Sequence, residues 1–493
     1  MNARHPSAPG GGFAREKADV LAFIDRNAQA FACLSDSIFH FGELGMQEHR
    51  SAALMCDLLE QHGFSVDRCP SGFSTGFIAR YGSGRPVVAI HTEYDANPGN
   101  SQQSGIAEHR EIVAGAPGHC EGHNVNAAVM ITAALALRHG MELHRLPGEI
   151  RIVGAPGEEQ LISRPYYVRD GYFDDVDIAF HPHVLDEFRS DYGLIQTAAI
   201  SADFVFSGRA AHAAIAPWDG RDALDAQVLM DVGMAQFREH MPPGLSMHRV
   251  VTHGGEQPNV IPARASVWWY FRGPHADDVR KLFEQGQRVA EGAALMTGCT
   301  ATTDIRAAVW PVRLNRTIAE TIQRNIDALG MPEWTEGEQA FARDLQRAAG
   351  KPEIGLRKAA TPFSGPAKQI AASNDCGDIS WKVPMGRVWF PANVPHLPFH
   401  HWSAGAPLCT SIAHKGGLAG ARVLAASVVD CLLDPELAKR ARETFSEELG
   451  DARYEPLIPL GKAPPASLNA EIMDHYRSAM EQFYPASRPA FVR

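Results

Sequence analysis

The chain has 493 residues, 45% hydrophobic and 21% charged, with a formal net charge of -11. At roughly 150 residues per domain, this length suggests two or three domains with ample material for a buried core. The acidic balance argues against nucleic acid as the main partner. Its eight cysteines are scattered without a CxxC pair, so a reducing compartment, the cytoplasm, is expected rather than a disulfide framework.

Residues 1–14 read as a loose Gly/Pro/Ser tail. The start lacks the apolar segment of a secretory signal, and no apolar run approaches 18 residues, so no membrane contact is expected. An amphipathic helix is expected from about Glu16, and a second from Glu48 to His62, stopped by Gly63. Val87 to Ile90 is a short all-apolar run, the mark of a strand covered on both faces. NVNAAVMITAALALRHG then reads as a helix ending at Gly140. GEIRIVGAPGEE and DDVDIAFHPHV read as two further strands. Apolar strands alternating with helices predict an α/β fold with a mostly parallel sheet.

The texture changes near residue 200. Strand, helix, two strands, helix and strand follow, a β-α-β-β-α-β order that makes a ferredoxin-like module of about 110 residues. The α/β texture resumes with GRVWF and the helix GGLAGARVLAASVVDCLL, so the module looks inserted. The expected organisation is a catalytic domain in two parts, 15–199 and 313–493, with a lid or dimerisation domain at 200–312. Residues 331–370, polar and rich in Gly and Pro, are expected to be irregular.

Functional groups of open α/β sheets gather beyond the carboxyl ends of the strands. Four segments carry ionisable residues there: His91, Glu93 and Asp95; Glu158 and Glu159; His181 and His183; and His396, His400 and His401. The loop GHCEGHN adds His119, Glu121 and His123. Carboxylates and imidazoles at one rim suit Zn²⁺, Mn²⁺ or Co²⁺. Enough ligands are present for two ions about 3.5–4 Å apart.

These stretches resemble a known family. EYDA (93–96), SQQSG (101–105), GHCEGHN, GAPGEE (154–159), DGYFDDVD (170–177), AAHAA (210–214), GRDALDA (220–226), PNVIP (258–262), EGAALMT (291–297), SNDCGDISWKVP (373–384) and SIAHKG (411–416) carry the likeness. Over about residues 20–460 the chain is similar to metallopeptidase family twenty, which holds aminoacylases, carboxypeptidases and hippurate hydrolases, in its amidohydrolase branch. The resemblance implies a zinc-peptidase-like catalytic domain with an inserted lid that dimerises.

It also implies roles. Glu121 stands where the branch has a metal-binding Cys and becomes the bridging ligand; His123, Glu159, His183 and His400 complete the set, with His91 and His181 held in reserve. Glu158 takes the place of the general base. His212, often supplied by the partner subunit in the family, polarises the substrate carbonyl, while Asn259 and Arg272 hold the substrate carboxylate. Glycines follow the acidic pair in the branch, where this chain has Gln160 and Leu161. The implied enzyme is an amidohydrolase with two divalent ions, Zn or Mn with Co as a further option, cleaving an N-acyl or N-aroyl amino acid, p-aminobenzoyl-glutamate first. A homodimer is implied, and a homologous partner subunit is an open possibility. The alternatives are a dipeptidase or aromatic-amine hydrolase on the same site, and a non-catalytic metal-binding subunit.

Overall fold

Val87–Thr92, buried along its whole length, lies inside a six-stranded sheet of the computed structural model, which describes residues 14–492. The expected tail at 1–14 falls outside the described residues except for Ala14, which opens the helix Ala14–Arg26. The strands are β1 (Ser65–Arg68), β2 (Phe77–Ser83), β3 (Val87–Thr92), β4 (Gly148–Gly154), β5 (Ile178–Leu185) and, late in the chain, β10 (Met385–Pro391). Their spatial order is β1-β2-β4-β3-β5-β10. The four from β4 to β10 run parallel, and β2 and β1 extend the sheet antiparallel.

Two long apolar helices, His123–His144 and Ser411–Leu433, pack on each other and join the core with Ala14–Arg26. The expected stop at Gly140 is overridden. A Cβ there would sit 2.4 Å from Val20 Cγ2, so glycine serves close helix packing, and the helix continues to a left-handed Arg145. Ser411–Leu433, though interrupted by Lys415 and Arg422, is long and apolar enough to cross a membrane by length and composition alone. In the fold, 72% of its apolar window is buried. The expected irregular stretch at 331–370 also needs correction. It contains the helix Glu336–Ala348, started by a capping box in which Thr335 and Glu338 satisfy each other's backbone amides.

The inserted module comprises β6 (Ala198–Ser207), the helix Ala223–Phe237, β7 (Ser246–His253), β8 (Arg264–Gly273), the helix Ala276–Thr297 and β9 (Thr300–Val309). Its sheet is antiparallel throughout, in the order β9-β6-β8-β7. This is the β-α-β-β-α-β order legible in the sequence. Where the chain leaves the module, the Trp310 amide donates to Asp378 at 3.0 Å and the Tyr454 hydroxyl donates to the same carboxyl at 2.8 Å.

Candidate active site and metal centre

Strand ends of the parallel sheet deliver the acidic and imidazole groups to one rim. β3 runs directly into Glu93 and Asp95, β4 leads to a short helical turn at Glu158–Gln160, and β5 carries His181 and His183. His123 opens its helix, one residue after Gly122, whose backbone is left-handed at φ +114. A Cβ at Gly122 would meet Val184 Cγ1 at 2.7 Å, so only glycine lets the ligand loop lie this close to β5. His400 arrives on the loop after β10.

The ligand atoms of Glu121, His123 and Glu159 lie within 4.8 Å of one another, as do those of Glu93, His123 and His183. His400 Nε2 is 2.9 Å from Glu121 and 3.3 Å from Glu159. His123 Nδ1 faces the carbonyl and carboxylate oxygens of Asp95, each at 3.1 Å. Both are acceptors, so Nδ1 carries a proton and Nε2 is the nitrogen left to face a cation. That Nε2 is buried without a hydrogen-bond partner among the described residues, as is Glu159 Oε1, and it lies 3.7 Å from Glu158. His183 Nδ1 donates to the Val184 carbonyl at 2.9 Å, which frees its Nε2 on the Glu93 side. Unpartnered buried nitrogen and oxygen donors aimed at a shared space, all imidazole or carboxylate, fit divalent cations such as Zn²⁺ or Mn²⁺.

Electrostatics follow the crowding. Burial raises the Glu121 carboxyl, but the His400 hydrogen bond and the imidazoles of His123 and His183 overcome this and bring it to about 2. Burial and the nearby Glu121 push Glu159 up to about 8. Burial holds Glu158 well above the usual carboxylate range, despite the pull of His123. Burial would lower His123, yet Asp95, Glu93 and Glu159 keep it well above its ordinary value.

Several sequence candidates are placed elsewhere. His181 donates to Glu93 through Nε2 at 3.0 Å and accepts from Arg387 Nε through Nδ1 at 3.0 Å, so neither nitrogen is free. His91 stacks on His181 at 4.9 Å and turns Nε2 to Met385 Sδ. His119 bonds the Ile38 carbonyl, and burial takes it down to about 3. His401 caps the turn Trp402–Gly405. His212 and Asn259 neighbour each other on the inserted module, the Ala213 amide donating to the Asn259 carbonyl, and neither lines the cleft that holds Glu158.

Arg272, on β8, does line that cleft, a cavity of about 400 Å³ between the inserted module and the sheet rim. It donates to Ser373 Oγ at 2.8 Å and lies over the Tyr270 ring. Among the described residues no carboxylate pairs with it, and burial lowers its pKa.

Sequence reasoning gave no role to the groups behind the ligands. Asn126 Nδ2 donates to Glu93 at 2.8 Å while its Oδ1 accepts the Val184 amide at 2.8 Å. Fully buried Arg164 bridges Glu93 and Asp375. Asn126 offered one signal, a polar residue three positions after His123 and just before the apolar run Ala127–Ile131. Arg164 and Asp375 offered none, because they are 211 residues apart and meet only in the fold.

A cleft between an α/β domain and an inserted module, with buried carboxylates and imidazoles at its base, is the arrangement of a metal-dependent hydrolase. The "Peptidase dimerisation domain" model of the M20 peptidases matches residues 196–295. The chain is 34% identical to a subunit of the p-aminobenzoyl-glutamate hydrolase of Escherichia coli (strain K12), over 90% of this chain and 99% of that protein. It is 27% identical to the Xaa-Arg dipeptidase of Mus musculus, over 90% and 96% respectively. The structure of the Bacillus subtilis YXEP protein, described as a dinuclear metal binding peptidase from the M20 family, superposes with a TM-score of 0.55 at 20% identity, covering 83% of this chain and 99% of that one. The chain belongs to the M20 peptidase family.

Proposed function

We propose that this protein hydrolyses the amide bond of an N-acyl or N-aroyl amino acid, p-aminobenzoyl-glutamate being the first candidate, with two divalent ions per subunit. One observation carries the reading: Glu158 and the acid-imidazole cluster share one cleft with Arg272, a guanidinium that has no acidic partner among the described residues. A guanidinium so placed recognises a carboxylate by paired charge-assisted hydrogen bonds.

Glu121, His123, Glu159, His183 and His400 would hold the ions, and the oxygen-rich set keeps Mn²⁺ and Co²⁺ beside Zn²⁺. Bound there, such ions would activate water and polarise the scissile carbonyl. Glu158 takes a proton from the attacking water and delivers it to the leaving nitrogen. Burial raises its affinity for a proton, in the direction that a group accepting and returning one requires. Arg272 fixes the acid end of the substrate. His212 and Asn259, turned from their own cleft, serve the cleft of a second copy, where His212 donates to the developing oxyanion.

A homodimer through the inserted module accords with its surface. Edge strand β7 leaves Val250 and Val251 half-exposed, and Val228 and Val232 are exposed on the helix Ala223–Phe237. Pairing two such edges would cover unpaired backbone and apolar side chains together. The eight cysteines, all free among the described residues, support the cytoplasm as its location.

The test is a panel of p-aminobenzoyl-glutamate, other aroyl-amino acids, dipeptides ending in Arg, and simple arylamides lacking a carboxylate. Chelator-stripped protein is reloaded with Zn²⁺, Mn²⁺ or Co²⁺ before assay. The expected result is metal-dependent release of the amino acid from the aroyl substrates. Activity indifferent to stripping, or directed only at arylamides without a carboxylate, would overturn the reading.

A further inference from the structure

The two residues after Glu159 are both engaged in the fold. Gln160 reaches away, its Oε1 accepting from Asn469 Nδ2 at 2.9 Å, and so ties the loop to a late segment of the chain. Leu161 faces inward, lines the cleft and is only 6% exposed. Its backbone is left-handed, φ 61 and ψ 47, and its amide donates to the Glu158 carbonyl at 2.7 Å. Glycine adopts that conformation freely, whereas a residue with a Cβ is held there only when its surroundings enforce it. The chain thus keeps a bulky side chain three residues from Glu158, at a backbone position made for glycine.

The rest of the cleft divides by polarity. Carboxylates and imidazoles occupy the base, and Arg272 with Ser373 forms one polar side. Leu161, Leu185, Trp389, Phe399 and Ile370 supply its apolar lining, while Arg189, Gln196, Asn374 and Arg387 add polar groups elsewhere on the wall. Ile370 is 57% and Phe399 43% exposed, large apolar groups left open to a cavity rather than folded away. Such a surface is the kind that an apolar ligand covers. A substrate anchored by its carboxylate on Arg272, with its carbonyl at Glu158, leaves only its acyl group to meet these residues.

We propose that Leu161 is the specificity-determining residue for the acyl group: its side chain closes the apolar part of the cleft and limits the size of the acyl group accepted. This rests on the amide-hydrolase reading above. The experiment holds the amino acid constant and varies the acyl group, comparing N-acetyl-, N-(4-aminobenzoyl)- and N-(2-naphthoyl)-glutamate on metal-loaded wild type, Leu161→Gly and Leu161→Met.

One methylene in an apolar pocket shifts preference by roughly 10-fold or more. Leu161→Gly should therefore raise the naphthoyl to aminobenzoyl ratio of kcat/KM at least about tenfold, while Leu161→Met keeps it within about threefold. Losing a buried leucine costs packing that the relaxed backbone offsets only in part, so a single cooperative melt and wild-type metal content verify that Leu161→Gly is folded. An unchanged ratio in folded Leu161→Gly overturns the proposal. If the wild type cleaves no member of the series, glutamate as the amino-acid half fails separately. Calorimetric binding of free 4-aminobenzoate and 2-naphthoate then decides for Leu161 by the same ratio: a shift towards the naphthoate supports it, and no shift overturns it.

Discussion

The Asp95 carboxylate lies 3.1 Å from His123 Nδ1 and so fixes which ring nitrogen faces the cleft. Its other oxygen accepts the Glu159 amide at 3.0 Å. One carboxylate therefore sets both an imidazole and the backbone of an acidic ligand. Partners of this kind are worth roughly 10–100-fold in metal affinity.

Asp95→Ala should accordingly weaken metal binding by about 10–100-fold without removing any proposed ligand. Calorimetric titration of stripped protein with Zn²⁺ or Mn²⁺ measures it. Wild-type affinity in a folded Asp95→Ala protein would sever this link between the two residues.

Glu158→Gln preserves volume and removes the base. Turnover should fall by about 10²–10⁴ while metal content and KM change little, because general-base catalysis supplies a factor of that size. Single-turnover kinetics with parallel metal analysis separates the two effects. A variant still within about tenfold of wild type would assign the proton transfer to another group.

Arg272→Ala should raise KM for carboxylate-bearing substrates by roughly 10- to 100-fold, the range of a charge-assisted hydrogen bond. Arg272→Lys should recover only part of this, since an ammonium lacks the planar fork. The amide analogue of the same substrate, with no carboxylate, should respond to neither change. Equal losses on both substrates would mean that Arg272 supports the fold rather than the ligand.

Stability should depend on Asp378. Burial, with Asp375 adding to it, lifts its carboxyl to about 7 even though the Trp310 amide and Tyr454 hydroxyl donate to it. In the unfolded chain it titrates near about 3.9, so the folded state binds the extra proton between those values. The associated stability is full below about 4 and is lost as pH rises through about 7. Urea unfolding of wild type and Asp378→Asn at pH 5 and pH 8 reads the effect. The wild type should weaken between them by a few kcal/mol, at about 1.4 kcal/mol for each pH step within that window, and the variant much less. Parallel pH profiles for the two proteins would contradict this.

Much of the architecture is legible in the residues. The all-apolar Val87–Ile90 announces an inner strand, and the alternation after residue 200 announces the inserted module. Both rest on local periodicity, which a folded neighbour seldom overrides. Where the residues mislead, the deciding partner is distant in the chain or the local signal is weak. Gly140 looks like a helix stop because its packing partner, Val20, lies 120 residues earlier, and Thr335-x-x-Glu338 does not stand out as a cap inside a polar stretch. A helix started by two side chains inside such a stretch leaves little hydrophobic pattern to read.

The sequence by itself determined which side chains reach the rim, because strand order and the loops that follow strands are written in hydrophobic periodicity and glycine placement. Only the tertiary structure decided which of them remain available. His181 and His183 are two residues apart on one strand, yet Arg387 and Glu93 occupy both nitrogens of the first while the second keeps Nε2 free. Those partners come from β10 and from the end of β3, the strands on either side of β5. A ring nitrogen's freedom is set by whatever lies within about 3 Å of it, a distance that spacing along the chain does not encode.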